Sequence, residues 1–383
     1  MKILMVMCDM VRPGVFNMNY SNNKLLDLMK SIGGVYYNNC FTPGPDTGRS
    51  LACVWSGKIP KQNGCISRSN YPKFYLKSKT FLDILDEYHY TFNFFTNPNE
   101  KILGVLPSGY ENKGYHNTTL NLKEYVSNIN FSYDNVFTYI DLTDFHWAID
   151  DYGANDWGVK EGIRHICESI NILIEEGKLY SYDYVFIFSD HGFKFRNEYL
   201  YQSKLMMLNS DRTNTLLFIH KKGCADFTLN DKLCSTIDFY PTIMNILNFE
   251  YVKECSGYSF FSNQEHEYIV SEEHENFYPE INQPICYWSI NCKDFYYCCS
   301  VSDSILMKFN KSNRVSEQEC QDILINNCSS YRESMRIKDI LKLYSTMAND
   351  KSFYTNMEKR VKITKMQILN KVKQKFYDFI SKR

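Results

Sequence analysis

Short apolar runs alternate with amphipathic helical patterns over most of the chain. Each run has the length and composition of a buried strand. The runs lie in residues 2–9, 136–144, 182–192 and 213–223. Apolar side chains recur at helical spacing in residues 21–34 and between Val159 and Gly177. Strands that alternate with helices predict an α/β fold, with a mostly parallel central sheet and helices on both of its faces.

The pattern changes beyond Pro284. Residues 285–309 alternate and are rich in aromatic side chains, which predicts a small antiparallel sheet, and from Ser334 the pattern is helical to the end. We therefore expect a large domain in residues 1–284 and a small C-terminal α+β subdomain in residues 285–383.

The composition is that of a folded protein, with 44% hydrophobic and 23% charged residues. A formal net charge of -1 argues against nucleic-acid binding by bulk electrostatics. The 14 cysteines form no CxxC pair or regular framework, so we expect reduced, mostly buried thiols in a cytoplasmic protein. The apolar start of the chain is too short for a signal peptide or a membrane span.

Polar residues follow several of the predicted strands. Asp9 follows the first strand, Asp144 the second, and Asp190 with His191 the third. Because the carboxyl ends of parallel strands meet at one edge of a sheet, the chemistry of such folds gathers there. A lone aspartate in this position is usually a helix cap. An Asp-His pair after a buried run, together with Asp9 and a hydroxyl, instead offers ligands suited to Zn²⁺ or Mn²⁺.

A loop rich in turn-forming residues precedes an apolar helical run in residues 42–64, TPGPDTGRSLACVWSGKIPKQNG. Pro43, Gly44 and Pro45 favour a tight turn, and a hydroxyl such as that of Thr47 is a common helix cap. Alternatively, the hydroxyl is a nucleophile at a helix N-terminus, where backbone amides and the helix dipole favour a bound anion. The loop by itself favours the capped helix.

Four segments, in order, resemble motifs of the alkaline phosphatase/sulfatase superfamily. They are ILMVMCDMVRP, PDTGRSLACVWSGKIPKQNG, VFIFSDHGF and STIDFYPTIMNILN. They are similar to the opening metal-binding strand, the nucleophile loop and helix, the metal-binding Asp-His-Gly strand, and a helix with an Asp-x-x-Pro-Thr pattern. A weaker fifth match, YIDLTDFHWAID, resembles a strand whose histidine faces the substrate. The likeness spans residues 1–300 and implies a sulfatase-like catalytic domain.

The resemblance also implies a set of site residues. One divalent metal, Zn²⁺ or Mn²⁺, would be held by Asp9, Thr47, Asp190 and His191, and Thr47 would be the nucleophile. Arg49 would bind the phosphoryl oxygens with its planar guanidinium, or else make a helix-cap contact at the surface.

The nucleophile loop distinguishes the branches of the superfamily. Sulfatases carry Cys or Ser followed by x-Pro-x-Arg, because that side chain is oxidised to an aldehyde. When Arg49 is aligned with the family arginine, Pro45 falls at the nucleophile position, which proline cannot fill. The loop instead resembles that of phosphoethanolamine transferases, whose threonine becomes phosphorylated, in the spacing of Thr47, Ser50, Cys53 and Ser56.

The resemblance therefore implies a metal-dependent phosphotransferase or phosphohydrolase. Its substrates would be phosphate mono- or diesters, such as those of a glycan or a lipid-linked sugar, and a covalent phosphothreonine would form. The alternatives are a sulfatase that uses an unmodified nucleophile, and a non-catalytic binding protein that kept the fold.

Several further residues have both a functional and a structural interpretation. His146 would face the leaving group or assist a second metal, with Asp144 as its neighbour, although a lone histidine near a strand end is as often structural. A weaker candidate of the same kind is His274, beside Glu272 and Glu273.

Where relatives often carry another histidine, this chain offers Gln202 and Lys204. A single metal is therefore favoured over two. The helix cap Asp238 and the first-turn Pro241 are interpreted as structural.

The C-terminal segment is basic and amphipathic. Residues 351–383 carry ten Lys and Arg residues against Glu358 and Asp378, and their apolar side chains recur on one helical stripe. Such a helix suits peripheral contact with an anionic membrane. Packing of the stripe on the catalytic domain is the favoured alternative.

Overall fold

The structure of the chain is a computed structural model. It describes residues 1–13, 24–65, 79–96, 106–107, 109–110, 113, 115–116, 121–176, 178–193, 208, 210–249, 255–278, 283–300, 304–310, 312–328, 330–332 and 334–335. Gln202, Lys204 and the basic C-terminal segment lie outside these residues, as does the side chain of His274.

A central sheet of nine strands organises the fold. The strands are β1 (Lys2–Cys8), β2 (Gly34–Phe41), β3 (Thr91–Phe95), β4 (Tyr115–His116), β5 (Val136–Leu142), β6 (Tyr184–Phe188), β7 (Asn214–Thr215), β8 (Leu217–Lys221) and β9 (Phe227–Ser235). Their order is β4-β3-β5-β1-β6-β8-β2-β7, and β9 pairs with β2. Only β7 and β8, among the described strands of this sheet, run antiparallel to their neighbours. The predicted mostly parallel sheet is therefore confirmed.

Helices cover both faces of this sheet. They are α1 (Lys24–Ile32), α2 (Thr47–Ser56), α3 (Pro60–Asn63), α4 (Phe81–Glu87), α5 (Leu122–Ser127), α6 (Asp144–Tyr152), α7 (Asp156–Glu175), α8 (Ser210–Thr213) and α9 (Phe239–Ile246). Alternate residues of β1 enter two separate cores, one containing Ile3, Met5 and Met7 and the other Leu4, Val6 and Cys8. The first core also contains residues of α2, α4 and α9, and the second contains residues of α1, α5, α6 and α7. This two-sided burial explains why β1 is apolar at every position after Lys2.

A second, four-stranded antiparallel sheet follows the central one. Its strands are β10 (Ile269–Tyr278), β11 (Gln283–Asn291), β12 (Phe295–Ser300) and β13 (Ser304–Lys308), and α10 (Glu317–Asn327) follows them. The predicted boundary between residues 284 and 285 falls inside β11, and so within this sheet. Three glutamates in β10 hide its strand character in the sequence, although Glu272 and Glu273 are buried.

Two further expectations concern cysteines and membrane spans. The cysteines of the described residues are free, and most are buried. In the same part of the chain, every helix is too short or too polar to cross a membrane.

Candidate metal centre and nucleophile

The ends of two neighbouring parallel strands bring three predicted ligands together. Strands β1 and β6 pair in register up to Met7 and Phe188, so the residues just beyond them lie side by side. Asp9, Asp190 and His191 each offer one ligand atom, and these atoms lie within 4.8 Å of one another. Asp190 is fully buried, and the other two residues are nearly so.

Hydrogen bonds orient these side chains and leave one face of the cluster without donors. Asp190 Oδ1 accepts from the backbone amides of Met10 (3.1 Å) and His191 (2.8 Å). His191 Nδ1 donates to the carbonyl oxygen of Gly192 at 2.7 Å, which leaves Nε2 as the free ligand atom. This Nε2 lies 3.8 Å from Asp9 Oδ1 and 3.4 Å from Asp190 Oδ2.

The two carboxylate oxygens beside that imidazole accept no hydrogen bond from the described residues. Asp9 Oδ1 and Asp190 Oδ2 are both buried in this state. A buried carboxylate oxygen without a donor is costly, whereas a divalent cation would satisfy both oxygens and the imidazole at once. Two oxygens and one nitrogen are donors that Zn²⁺ and Mn²⁺ accept. The residues present therefore fit a divalent metal.

Thr47 begins helix α2 beside this cluster. Its hydroxyl lies near enough to the Asp190 carboxyl to favour the charged form of that group. Every other residue of α2 is buried, whereas Thr47 is half-buried and reaches the surface. The other hydroxyls of the helix point inward, since Ser50 Oγ bonds Thr42 Oγ1 at 2.9 Å and Ser56 Oγ donates to the carbonyl of Ala52. In this helix, only Thr47 can present a hydroxyl to a substrate.

The helix cap is Asp46 rather than Thr47. Asp46 Oδ1 accepts from the backbone amide of Arg49 at 3.1 Å. The capped helix favoured by the loop sequence therefore occurs, with Asp46 as its cap. The role of the Thr47 hydroxyl as a nucleophile stays a prediction. Gly44 permits this tight approach, since a Cβ there would lie 2.4 Å from the Cβ of Arg49.

Arg49 is fully buried beneath the nucleophile loop. Its Nε and Nη2 both contact Asp46 Oδ2, and its Nη1 donates to the carbonyl of Glu272 at 3.3 Å. The guanidinium thus ties the helix cap to β10. Its role in binding phosphoryl oxygens stays a prediction, and the surface cap contact proposed as its alternative does not fit its burial.

His146 lies in the first turn of α6, just after β5, and contacts the cluster. Its Nδ1 is 2.7 Å from Asp9 Oδ2, and its Nε2 is 3.5 Å from Asp150 Oδ2. Burial lowers the pKa of His146, but the hydrogen bond and charge of Asp9 outweigh it and raise that pKa to about 9. In the metal-free protein, this shift favours the protonated imidazole at neutral pH. Asp144 begins the same helix but does not belong to the cluster.

The two clustered aspartates have opposite pKa shifts. Burial raises the pKa of Asp9, but the hydrogen bond and charge of His146 together with the charge of His191 lower it below its usual value. Burial and the charge of Asp9 raise the pKa of Asp190 to about 6. Titratable neighbours whose pKa values are pushed apart in this way are typical of functional sites.

Solved structures of several proteins share this fold. A protein of the alkaline phosphatase superfamily from Vibrio parahaemolyticus superposes with a TM-score of 0.61 at 13% identity, covering 88% of this chain and 87% of that one. A phosphonate monoester hydrolase from Silicibacter pomeroyi gives 0.58 at 13% identity, covering 88% and 95%. A 2-O GAG sulfatase gives 0.61 at 14% identity, covering 88% and 92%. No protein-family model and no curated protein sequence matches the chain.

The chain has the sulfatase-like fold of the alkaline phosphatase superfamily. The resemblance stated from the four sequence motifs is confirmed at the level of the fold. Its phosphoethanolamine-transferase detail stays a prediction.

Within this sulfatase-like fold, the interpretation of Asp238 as a structural residue fits its contacts. Its carboxylate accepts from the backbone amides of Ser235 (2.9 Å) and Tyr258 (2.8 Å), and it pairs with His266 Nε2 at 2.8 Å. Pro241 lies in the first turn of α9.

Sequence reasoning named Glu272 and Glu273 only as neighbours of His274 and missed that residues of β10 hold the nucleophile loop. The hydroxyl of Ser271 donates to the carbonyl of Thr42 at 2.6 Å, and the amide of Glu272 donates to the carbonyl of Pro43 at 2.9 Å. A backbone contact between segments so far apart leaves no local pattern. The sequence does contain a weak signal of this strand. Glutamates such as Glu272 stand next to an alternating aromatic stretch, which indicates that the strand pattern continues further upstream.

Proposed function

We propose that the chain is a metal-dependent enzyme that hydrolyses or transfers phosphate mono- or diesters through a covalent phosphothreonine at Thr47. One observation carries this proposal. Thr47 is the half-buried first residue of an otherwise buried helix, and its hydroxyl lies beside two carboxylates and an imidazole that fit a cation. A threonine cannot be oxidised to the aldehyde that sulfatases use.

The free atoms of Asp9, Asp190 and His191, with the hydroxyl of Thr47, would hold Zn²⁺ or Mn²⁺, which lowers the pKa of an alcohol and offsets phosphoryl charge. The Thr47 hydroxyl releases its proton to solvent, its oxygen attacks phosphorus, the bond between this oxygen and phosphorus forms, and the bond from phosphorus to the leaving alcohol breaks. The Arg49 amide is taken by the Asp46 cap, so the amides of Thr47 and Gly48 would be the ones to receive the phosphoryl oxygens.

The proton needed by the leaving alkoxide has a candidate donor in His146. Its imidazolium is partly exposed and hydrogen-bonded to Asp9. Water or a second alcohol then attacks the phosphothreonine and gives its proton to the now neutral His146. The bond between the Thr47 oxygen and phosphorus breaks, and a proton from solvent restores the hydroxyl as the phosphoester or phosphate leaves. Glycan or lipid-linked phosphate esters are the substrate class that we propose.

Sulfate-ester hydrolysis is the second candidate. It is favoured by the similarity to a 2-O GAG sulfatase. It would require Thr47 to act unmodified, and the same cluster would then face a sulfuryl group of lower charge.

Matched variants of Thr47 test the covalent mechanism. Thr47→Ala should lose at least about two orders of magnitude in rate because the nucleophile is gone, whereas Thr47→Ser keeps the oxygen and should retain part of the activity. Parallel assays on p-nitrophenyl phosphate, bis-p-nitrophenyl phosphate and p-nitrophenyl sulfate separate the two candidate functions.

Acid quench during turnover, followed by mass spectrometry, should find phosphate on the peptide that contains Thr47. Near-normal turnover by Thr47→Ala would refute the mechanism. Turnover of the sulfate ester alone would select the second candidate.

A further inference from the structure

The short segment α8 touches the loops that carry the site residues. The amide of Gly192, next to His191, donates to the carbonyl of Arg212 at 2.8 Å. The amide of Thr42, at the start of the nucleophile loop, donates to the carbonyl of Thr213, also at 2.8 Å. One turn of backbone is thus bonded both to the metal-ligand turn and to the nucleophile loop.

The loop after β1 is tied to the same segment by an ion pair between a buried arginine and a partly exposed aspartate. Arg12, three residues after Asp9, lies 2.7 Å from Asp211 Oδ2 and stacks on the ring of Phe193 at 4.8 Å. The backbones approach so closely that a Cβ on Gly192 would lie 1.9 Å from the carbonyl oxygen of Asp211. All three loops of the site therefore meet at α8.

The side chain of Arg212 adds a link that reaches the nucleophile loop itself. Its Nη2 donates to Glu273 Oε1 at 2.8 Å and to the carbonyl oxygen of Pro45 at 3.4 Å. Pro45 stands two residues before Thr47. Because Glu273 of β10 is nearly fully buried, this charge-assisted contact is poorly screened by solvent.

We propose that Arg212 is a positioning residue for Thr47, a role that rests on the proposed function. Glu273 fixes the guanidinium, which fixes the Pro45 carbonyl and hence the direction in which the chain enters α2. The carbonyl of the same arginine holds the turn after His191. Arg212 thereby sets the distance between the nucleophile and the metal ligands from both sides.

This role predicts an effect on rate rather than on binding. Arg212→Gln removes the charge and the reach of the guanidinium but keeps the backbone bond to Gly192. A displacement of about 1 Å at Thr47 would cost up to about a hundredfold in kcat, while KM and Mn²⁺ stoichiometry stay at wild-type values. Arg212→Lys keeps the charge without the planar fork and should lie between the two.

The experiment combines hydrogen exchange with kinetics on the full chain. Amide exchange of the peptide that covers residues 42–50 should be about tenfold faster in Arg212→Gln, as expected for loss of a charge-assisted hydrogen bond. The matched control is Arg164→Gln, an exposed arginine of α7 that pairs with Glu161 and Glu168. It should change neither exchange in this peptide nor kcat.

Exchange at residues 42–50 that is unchanged in Arg212→Gln would overturn the positioning role. If Arg212→Gln does not fold, Glu273→Gln tests the same link. Amide exchange at residues 42–50 should then also be faster than in the wild type, but by a smaller factor. Wild-type exchange in Glu273→Gln would equally overturn the positioning role. Because exchange needs no substrate, a wild-type protein that turns over no ester refutes the proposed function without deciding the positioning role.

Discussion

The clustered carboxylates predict that one ligand substitution makes the metal-free protein more stable. Asp190 is fully buried, and its Oδ2 belongs to a group of ligand atoms that lie within 4.8 Å of one another. Two negative charges at that distance repel by about 3 kcal/mol at an effective dielectric constant of about 20. A pKa raised from 3.8 to about 6 gives the same scale, since each unit corresponds to about 1.4 kcal/mol.

Asp190→Asn removes this cost and keeps the contacts around it. The amide oxygen can still accept from Met10 and His191, and the amide nitrogen replaces the oxygen that lacks a donor. Metal-free Asp190→Asn should therefore exceed the wild type in free energy of unfolding by about 1–3 kcal/mol at pH values above the pKa of Asp190. Because that pKa is raised in the folded state, the wild type regains the difference as the pH falls below about 6.

Urea denaturation of chelator-treated protein measures this difference. Asp238→Asn is the matched control, because Asp238 is equally buried but its carboxylate is fully engaged, so its loss should destabilise the fold by about 1–3 kcal/mol. Mn²⁺ at about a hundred times its Kd should stabilise the wild type by about 2.7 kcal/mol and leave Asp190→Asn unchanged. If both substitutions destabilise the metal-free protein alike, Asp190 is a structural residue and not a ligand.

Three further changes have distinct readouts. Gly192→Ala should weaken Mn²⁺ binding, measured by calorimetry, because its Cβ would collide with the carbonyl oxygen of Asp211. Without metal, the wild type should be more stable than His146→Gln, because the pKa of His146 is raised in the folded state. This difference in the free energy of unfolding should be complete below about pH 6.5 and should vanish as the pH rises through about 9. Urea denaturation at several pH values measures it. Deletion of residues 351–383 should lower the thermal midpoint of unfolding and leave turnover intact. The intact protein should not sediment with anionic vesicles. Sedimentation of the intact protein that the deletion abolishes would instead show that this segment binds membranes.

Much of the central sheet was predictable because its middle strands are buried on both faces. Strands β1, β5 and β6 are apolar at nearly every position, so each reads as a strand without knowledge of its partners. Strands β2 and β9 were not predicted, since β2 contains Asn38 and Asn39 and only the last three residues of β9 are buried. Their pairing depends on contacts across the whole chain.

The candidate site was predictable to the extent that it lies at strand ends. Asp9, Asp190 and His191 lie within three residues of the end of an apolar strand, and parallel pairing brings such residues together. The side chains that hold this arrangement, such as Asp46, Arg212 and Glu273, lack that signal. Their partners are distant in sequence, and only tertiary packing determines which arginine or glutamate is buried and what it contacts.

Strand β10 opens the second sheet and also forms a wall of the nucleophile loop, through Ser271, Glu272 and Glu273. The two sheets are therefore not exchangeable modules. A chimera that took its C-terminal sheet from another sulfatase-like chain would also acquire a new wall for that loop. In this protein, a change in the smaller sheet is therefore also a change in the surroundings of the candidate nucleophile Thr47.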